Sequence, residues 1–150
     1  MKKLHVTLGF IFAFSLCTYA QKPTYDSILA KKLNADDYGM KMYVFVMLKT
    51  GSNKSNDKTA RDKAFEGHMK NIQYMADHGK LAVAGPFENG GDHRGLFILN
   101  VTTFEEANKL LEGDTAIKEK YLEPELIQWY GSASLMETPE IHKKLQKKNF

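Results

Sequence analysis

One run of twenty residues constrains the fold more than any other part of this sequence: HMKNIQYMADHGKLAVAGPF, from His68 to Phe87. Its first half has apolar residues at helical spacing and ends at Gly79, a residue type that commonly closes an α-helix in a left-handed conformation. The segment from Leu81 to Ala84 favours a short strand, and Gly85-Pro86 predicts a turn. A helix followed at once by a strand indicates a fold in which helices pack on a sheet.

The patterns on either side of this run complete a regular order of elements: strand, helix, strand, strand, helix, strand. This order predicts an α+β chain with the ferredoxin-like βαββαβ arrangement and an antiparallel four-stranded sheet. The second helix begins with a capping box, because Glu106 follows Thr103 by three residues. The predicted elements are a strand over Met40–Leu48, a helix over Lys58–His78, strands over Leu81–Ala84 and Gly95–Val101 joined by a loop over 85–94, a helix from Thr102 or Thr103 to Gly113, one or two helical turns over Asp114–Tyr121, and a strand over Leu126–Tyr130.

The two faces of this predicted sheet differ in what covers them. We expect the first helix to face the sheet through four apolar residues at helical spacing, Phe65, Met69, Ile72 and Ala76. Both helices lie on the same face, whereas the strands carry more large apolar side chains than one face can bury. A second copy of the chain would cover the other face. We therefore expect a homodimer in which two sheets pack face to face as an α/β barrel.

The first 20 residues have the layout of a secretory signal peptide. Lys2 and Lys3 precede a nearly continuous apolar segment, and cleavage is expected after Ala20. The apolar segment is shorter than the about 20 residues that a membrane-spanning helix needs. We therefore expect a periplasmic or secreted protein without a stable membrane anchor after cleavage; the alternative is an uncleaved N-terminal anchor.

The rest of the chain is expected to form one domain with an extension at each end. Residues 21–39 are predicted to be a linker or short helix, residues 40–136 the α+β domain, and residues 137–150 a charged C-terminal helix or tail. A domain of this size suits a single hydrophobic core.

Charge and composition exclude several classes of function. Removing residues 1–20 takes away two lysines and no acids, so the formal net charge falls from +3 to +1, which is too low for electrostatic binding of nucleic acid. Cys17 is the only cysteine in the sequence, so the mature protein has no disulfide and no thiolate nucleophile. The histidines His68, His78 and His93 lack the spacing of a helical metal site, and no glycine-rich phosphate-binding motif is present. We expect neither a metal nor a cofactor.

Between Met40 and Gly131, the pattern resembles the YciI-like (YCII-related) family of the dimeric α/β-barrel superfamily. The resemblance implies a homodimer and a catalytic pair formed by His68 and Asp114, but no substrate, because the family has no single assigned activity. Thr115 follows the aspartate where the family usually has proline. The residues that carry the resemblance are His68, Gly79, the run from Leu81 to Phe87, Glu106-Ala107 and Asp114.

The residue types of this pair suit proton transfer. An imidazole titrates near neutral pH, and a carboxylate bonded to one of its nitrogens fixes the tautomer, so that the other nitrogen can take or give a proton. His68 falls at the edge of the predicted apolar stripe, so it could instead be a packing residue bonded to a backbone carbonyl. Asp114 follows Gly113 and could also serve as the N-cap of a helical turn.

The function predicted from these residues has three forms. The first is a lyase or isomerase that uses the His68–Asp114 pair on a small cyclic or enolisable molecule, with Gly85, Pro86 and His93 contributing to substrate binding. The second is a non-catalytic binding protein for a small ligand. The third is a structural dimer in which the pair is a buried polar contact. Independently of these three functions, His93 could instead be a surface residue of the hairpin loop.

Overall fold

The computed structural model describes residues 24–148. The predicted signal peptide lies outside the described residues. No helix among the described residues has both the length and the apolar character needed to cross a bilayer. The elements, in chain order, are α1 (Ser27–Lys32), β1 (Met40–Thr50), α2 (Lys58–Asp77), β2 (Leu81–Pro86), β3 (His93–Leu99), α3 (Phe104–Leu111), α4 (Thr115–Lys118), β4 (Leu122–Ser132), a 3₁₀ helix (Ala133–Glu137) and α5 (Thr138–Leu145).

The four strands form one sheet in the order β2-β3-β1-β4. Each neighbouring pair is antiparallel, and α2 connects β1 to β2 across the position occupied by β3. The predicted α+β class and the four-stranded antiparallel sheet are confirmed, and the strand order is compatible with the ferredoxin-like arrangement.

Three of the four strands are longer than the sequence pattern predicts, while β3 keeps its predicted length but begins and ends two residues earlier. The last strand begins at Leu122 rather than Leu126 and includes Pro124. Since β4 is an edge strand, a residue without an N–H group is tolerated there. The loop of the β2–β3 hairpin is correspondingly shorter than predicted, because β2 continues to Pro86 and β3 begins at His93.

Three of the four residues predicted to form the apolar face of α2, Phe65, Ile72 and Ala76, pack partly buried against the core, but the prediction is wrong for Met69. The buried residues of this helix are Ala64, His68, Asn71 and Met75, whereas Met69 is 36% exposed. The prediction counted only apolar residues, but two of the four buried positions are polar and are satisfied by hydrogen bonds. His68 therefore lies in the middle of the buried face, not at its edge.

The expectation that helices cover only one face of the sheet is also wrong. The main core lies between the sheet and α2, α3 and α4. On the opposite face, Leu135 and Met136 of the 3₁₀ helix pack against a smaller cluster that contains Tyr43 and Ile98. This cover is partial, because Trp129 on β4 is 36% exposed. The C-terminal helix α5 packs beside β2, the other edge strand.

Candidate functional site

His68 and Asp114 meet inside the protein. The Nδ1 atom of His68 lies 2.6 Å from Oδ2 of Asp114, a distance typical of a hydrogen bond to a charged acceptor. His68 is 9% exposed and Asp114 is completely buried. The sheet and two helices thus bring together two residues that are 46 positions apart in sequence.

Asp114 is held in place by the helix that it begins. Its Oδ1 atom accepts hydrogen bonds from the backbone N–H groups of Ala116 at 3.0 Å and Ile117 at 3.2 Å. N–H groups in the first turn of a helix have no acceptor within the helix itself. Asp114 supplies that acceptor and is therefore the N-cap of α4. One carboxylate oxygen therefore fixes the side chain, while the other is directed at the imidazole. The capping role and the pairing role coexist.

A glycine on α2 allows α4 to approach closely. The hydroxyl of Thr115 donates a 2.6 Å hydrogen bond to the backbone carbonyl of Ala64. A Cβ atom at position 67 would lie 2.0 Å from that hydroxyl oxygen. Gly67 therefore leaves the space in which Thr115 binds α2. A proline at position 115 would supply no hydroxyl for this contact.

A second contact secures the segment that leads into Asp114. Asn71, one turn after His68 on α2, donates from Nδ2 to the carbonyl oxygen of Leu110 at 3.0 Å. A Cβ atom at position 113 would lie 2.5 Å from Oδ1 of Asn71, so Gly113 is required where the chain passes the buried amide. Contacts on both sides of Asp114 therefore connect its backbone to α2.

Aromatic rings enclose the imidazole. The ring of Phe97 on β3 stacks on His68 with centroids 5.7 Å apart and planes 29° apart. Phe65 meets the imidazole edge-on at 5.8 Å. Such contacts restrict rotation of the ring, so the orientation set by Asp114 is reinforced from two sides.

The second nitrogen of His68 remains open. Within residues 24–148, Nε2 accepts and donates no hydrogen bond, and that part of the chain contains no enclosed side-chain polar atom without a partner. Nε2 therefore keeps contact with solvent. With Nδ1–H donated to a carboxylate, the neutral ring carries its lone pair on Nε2. This arrangement can accept a proton from outside and return it.

The groove nearest the pair has a volume of about 430 Å³ and lies against α2 and α4. Gly67 and Thr115, the immediate neighbours of His68 and Asp114 in sequence, belong to its lining, but the pair itself does not. The groove therefore passes beside the buried pair, at the contact between the two helices.

The predicted substrate-binding residues lie on the β2–β3 hairpin. Gly85 is paired with Leu96, and Pro86 with Gly95, while His93 is exposed at the start of β3. Among the described residues, no hydrogen bond or ring contact joins Gly85, Pro86 or His93 to His68 or Asp114. The structure thus brings together the predicted catalytic pair, while the other three residues lie towards the tip of the hairpin.

The other histidine of α2 has a local role. His78 is the C-cap of the helix, and its Nδ1 atom bonds the carbonyl oxygen of Tyr74 at 2.8 Å. Its ring also packs on the Tyr74 ring, with centroids 4.1 Å apart. No group of three His, Cys, Asp or Glu residues is placed to hold a metal ion in the described part of the chain.

Sequence reasoning missed the residues that position the pair. Gly67 carries a usable signal, because a glycine inside a helix costs about 1 kcal/mol relative to alanine and therefore suggests a close contact. Asn71 and Phe97 carry no such signal, since their roles depend on which elements pack together. No protein-family model matches this sequence, and a comparison with curated proteins finds no relative.

Proposed function

We propose that this protein is an enzyme that moves a proton on a small molecule without a cofactor, as a lyase or an isomerase. His68 is the general base and acid, acting through Nε2, and Asp114 orients it. The observation that carries this proposal is the 2.6 Å bond between a buried imidazole and a carboxylate fixed by a helix N-terminus. The resemblance to the YciI-like family supports the same assignment.

The chemistry of the pair follows from this geometry. Nε2 removes a proton from a carbon next to a carbonyl group, and the electron pair of the broken C–H bond passes into an enolate. The imidazolium formed is stabilised by its hydrogen bond to the Asp114 carboxylate. Return of the proton to a different carbon gives an isomer; departure of a leaving group from the enolate gives elimination. The same nitrogen serves as base and then as acid.

Deuterium exchange tests the proposal before a substrate is known. Small cyclic ketones and lactones are incubated with the protein in D₂O, and exchange of their α-protons is followed by NMR. We expect His68→Gln to reduce the catalysed exchange at least about 10²-fold, the lower range for loss of a general base. His78→Gln is the matched control, since His78 lies on the same helix and bonds only Tyr74. Equal rates in the wild type and His68→Gln would refute the proposal.

The low exposure of His68 favours a second candidate, a non-catalytic binding protein. A 9% exposed imidazole can donate or accept one hydrogen bond to a ligand without turning it over. In that case, a compound from the same panel would raise the melting temperature in a His68-dependent way without exchange of its protons. A structural dimer would show neither effect.

We also propose that the protein is a homodimer, formed by the sheet face that the 3₁₀ helix leaves partly open. Ile127 and Trp129 on this face are 45% and 36% exposed, and Phe45 beside them is half-buried. Trp129→Lys is expected to shift the molar mass in light scattering from dimer to monomer. Tyr38→Lys, at an exposed position that precedes β1, is the control. A wild-type mass equal to one chain would contradict the dimer.

The proposed location is the periplasm or the exterior of the cell, after cleavage following Ala20. The layout of residues 1–20 supports it. Mass spectrometry of protein recovered from its native host should give an N-terminus at Gln21, and a mature chain that begins at Met1 would contradict cleavage.

A further inference from the structure

The C-terminal helix α5 exposes its large apolar residues. Ile141 and Leu145 are 54% and 74% exposed, and no residue of α5 is buried. These two residues lie four positions apart, so they project from the same side of the helix. A helix on the surface of a globular protein normally turns such a side towards the core. In α5, the apolar side is instead available to a surface outside the protein.

The other side of α5 faces the protein. Pro139 and His142 line a cavity of about 260 Å³ that α5 forms with α2 and β2. At about 100° per residue, they lie about 160° and 100° from Ile141 around the helix axis. The contacts of α5 with the sheet are thus made by a different side of the helix from the one that carries Ile141.

Lysines border the apolar side of α5. Lys144 lies about 60° from Ile141 around the helix, and Lys147 and Lys148 follow the end of the helix. Within residues 24–148, none of these three ammonium groups forms an ion pair or a hydrogen bond. Their positive charges are therefore available to an anionic partner.

The N-terminal helix α1 adjoins this surface. Its last residue, Lys32, forms a 2.9 Å ion pair with Glu137, the residue that precedes α5. Ile28 lies one turn before Lys32 on the same side of α1 and is 82% exposed. Ile141 lies one turn after Glu137. The ion pair therefore connects the two helices at a point between two exposed isoleucines.

Charge is divided unevenly between these two ends of the chain and the rest of the protein. Residues 24–33 and 137–148 contain six lysines and three acidic residues, a formal charge of +3. Residues 34–136 contain 12 basic and 15 acidic residues, a formal charge of −3. An anionic surface would attract α1 and α5 and repel the remainder, so it would favour one orientation of the molecule.

We propose that α1 and α5 form a surface that binds an anionic lipid bilayer reversibly, with Ile28, Ile141 and Leu145 entering the headgroup boundary and the lysines contacting lipid phosphates. Exposed apolar side chains bordered by lysines are typical of helices that lie on a membrane. Such attachment needs no spanning helix, and it is weak when few apolar side chains enter the bilayer. The proposal does not depend on the proposed enzyme function.

Vesicle flotation tests this proposal. The protein is the mature chain that begins at Gln21, so residues 1–20 cannot account for binding. We expect it to float with vesicles of phosphatidylglycerol and phosphatidylcholine, to bind vesicles of phosphatidylcholine alone at least about tenfold more weakly, and to be released by added salt. Absence of binding to the anionic vesicles overturns the proposal, and so does equal binding to both kinds.

Charge-reversal variants test the part played by the lysines. Lys144→Glu removes a cation beside the bilayer and adds an anion, and one lysine near an anionic membrane contributes about fivefold to binding. We therefore expect at least about tenfold weaker binding. Lys118→Glu makes the same change in net charge at an exposed position at the end of α4 and should bind as the wild type does. Equal affinities of the two variants would contradict the proposed surface.

Apolar variants distinguish a bilayer from an acidic protein. Leu145→Gln should weaken vesicle binding at least about fivefold and leave the melting temperature unchanged, because the side chain is exposed. Phe104→Gln, at a 45% exposed position on α3, is the matched control. Unchanged binding of Leu145→Gln would mean that charge alone is recognised, which overturns insertion into a bilayer. A lower molar mass of Leu145→Gln in light scattering would assign this side of α5 to a second copy and also overturn the proposal.

Discussion

The side chain of Thr115 occupies the space that a side chain at Gly67 would fill, where α2 packs against α4. A Cβ atom on residue 67 would lie 2.0 Å from the Thr115 hydroxyl oxygen and 3.0 Å from its methyl carbon, well inside van der Waals contact. Since His68 follows Gly67 and Asp114 precedes Thr115, this contact sets the separation of the two chain segments that carry the pair. The 2.6 Å bond between His68 and Asp114 depends on this close approach.

Substitution of this glycine should therefore destabilise the protein and disturb the pair. We expect Gly67→Ala to lower the free energy of unfolding by roughly 1–3 kcal/mol, the usual cost of overpacking, because Thr115 must move and its bond to Ala64 is strained. Urea denaturation gives the stability. The same variant should also show faster solvent exchange of the His68 Nδ1 proton in NMR.

Gly85→Ala is the control for this effect. No atom lies within 4 Å of a Cβ built on Gly85, and no positive φ is recorded for that residue, so this variant should be close to neutral. Combining Gly67→Ala with Thr115→Ala should recover part of the loss. Equal stability of the Gly67→Ala and Gly85→Ala variants would show that α4 can shift without cost.

The tautomer of His68 should depend on Asp114. In Asp114→Asn, the side-chain oxygen can still accept from Ala116 and Ile117, and asparagine is a good N-cap, so the fold should persist. The amide nitrogen then donates to Nδ1 of His68, and the ring proton moves to Nε2. Long-range ¹H–¹⁵N NMR of the neutral ring should show the Nδ1–H tautomer in the wild type and the Nε2–H tautomer in the variant.

This exchange of tautomers should also abolish proton abstraction, because Nε2 no longer carries a lone pair. Deuterium exchange of the ketone panel should fall with Asp114→Asn while the melting temperature changes little. An unchanged tautomer in the variant would mean that another group orients the imidazole.

The sequence predicts the order of elements because each element has a local signal. Gly79 ends α2 with a φ of 64°, and Thr103 with Glu106 forms the capping bonds of α3, as the pattern indicates. The pairing of His68 with Asp114 is predicted only through the resemblance to a family. The burial of His68 is not predicted, because periodicity identifies apolar stripes and cannot show that a polar residue within one has a partner.

Other features depend on tertiary packing and leave no local pattern. Pro124 suggests that no strand begins before Leu126. Because β4 is an edge strand, it tolerates this proline and begins at Leu122. The sequence pattern predicts no 3₁₀ helix over Ala133–Glu137, the segment that packs on the sheet face of Tyr43. The partner of Lys41 is a neutral amide beyond the end of β3, which only the register of the sheet reveals.

Asp36 should make stability depend on pH in acid solution. The hydrogen bond from the Tyr130 hydroxyl, followed by that from the Met40 N–H group, lowers the pKa of Asp36 below 3.8. A lowered pKa means that the ionised carboxylate favours the folded state. Its contribution is complete at pH above the unfolded value and disappears as the pH falls through the lowered pKa. Asp36→Asn should therefore melt below the wild type at pH 6, and this difference should shrink towards pH 2.

Two further variants separate this contribution from a general effect of charge. Tyr130→Phe removes the main donor, so it should reproduce part of the loss at pH 6. Asp37→Asn changes the net charge in the same way at the neighbouring exposed position and should have little effect. A difference between wild type and Asp36→Asn that stays constant from pH 6 to pH 2 would contradict this assignment.

Asn71 should act on the pair through the segment that precedes Asp114. Removing its amide in Asn71→Ala leaves the carbonyl of Leu110 without its donor, which typically costs about 1–3 kcal/mol when the group is buried. Gly113 packs against the same amide, so the position of Asp114 should loosen as well. Urea denaturation should show the loss in Asn71→Ala and no comparable loss in Asn108→Ala, an exposed asparagine of α3.

A double-mutant cycle distinguishes local destabilisation from an effect on the pair. If Asn71 helps to position Asp114, the costs of Asn71→Ala and Asp114→Asn are not additive, since both disturb the same bond to His68. The coupling free energy should then exceed the roughly 0.3–0.5 kcal/mol within which independent sites add. Additive costs would mean that α4 alone fixes Asp114, through the two N–H groups that its carboxylate caps.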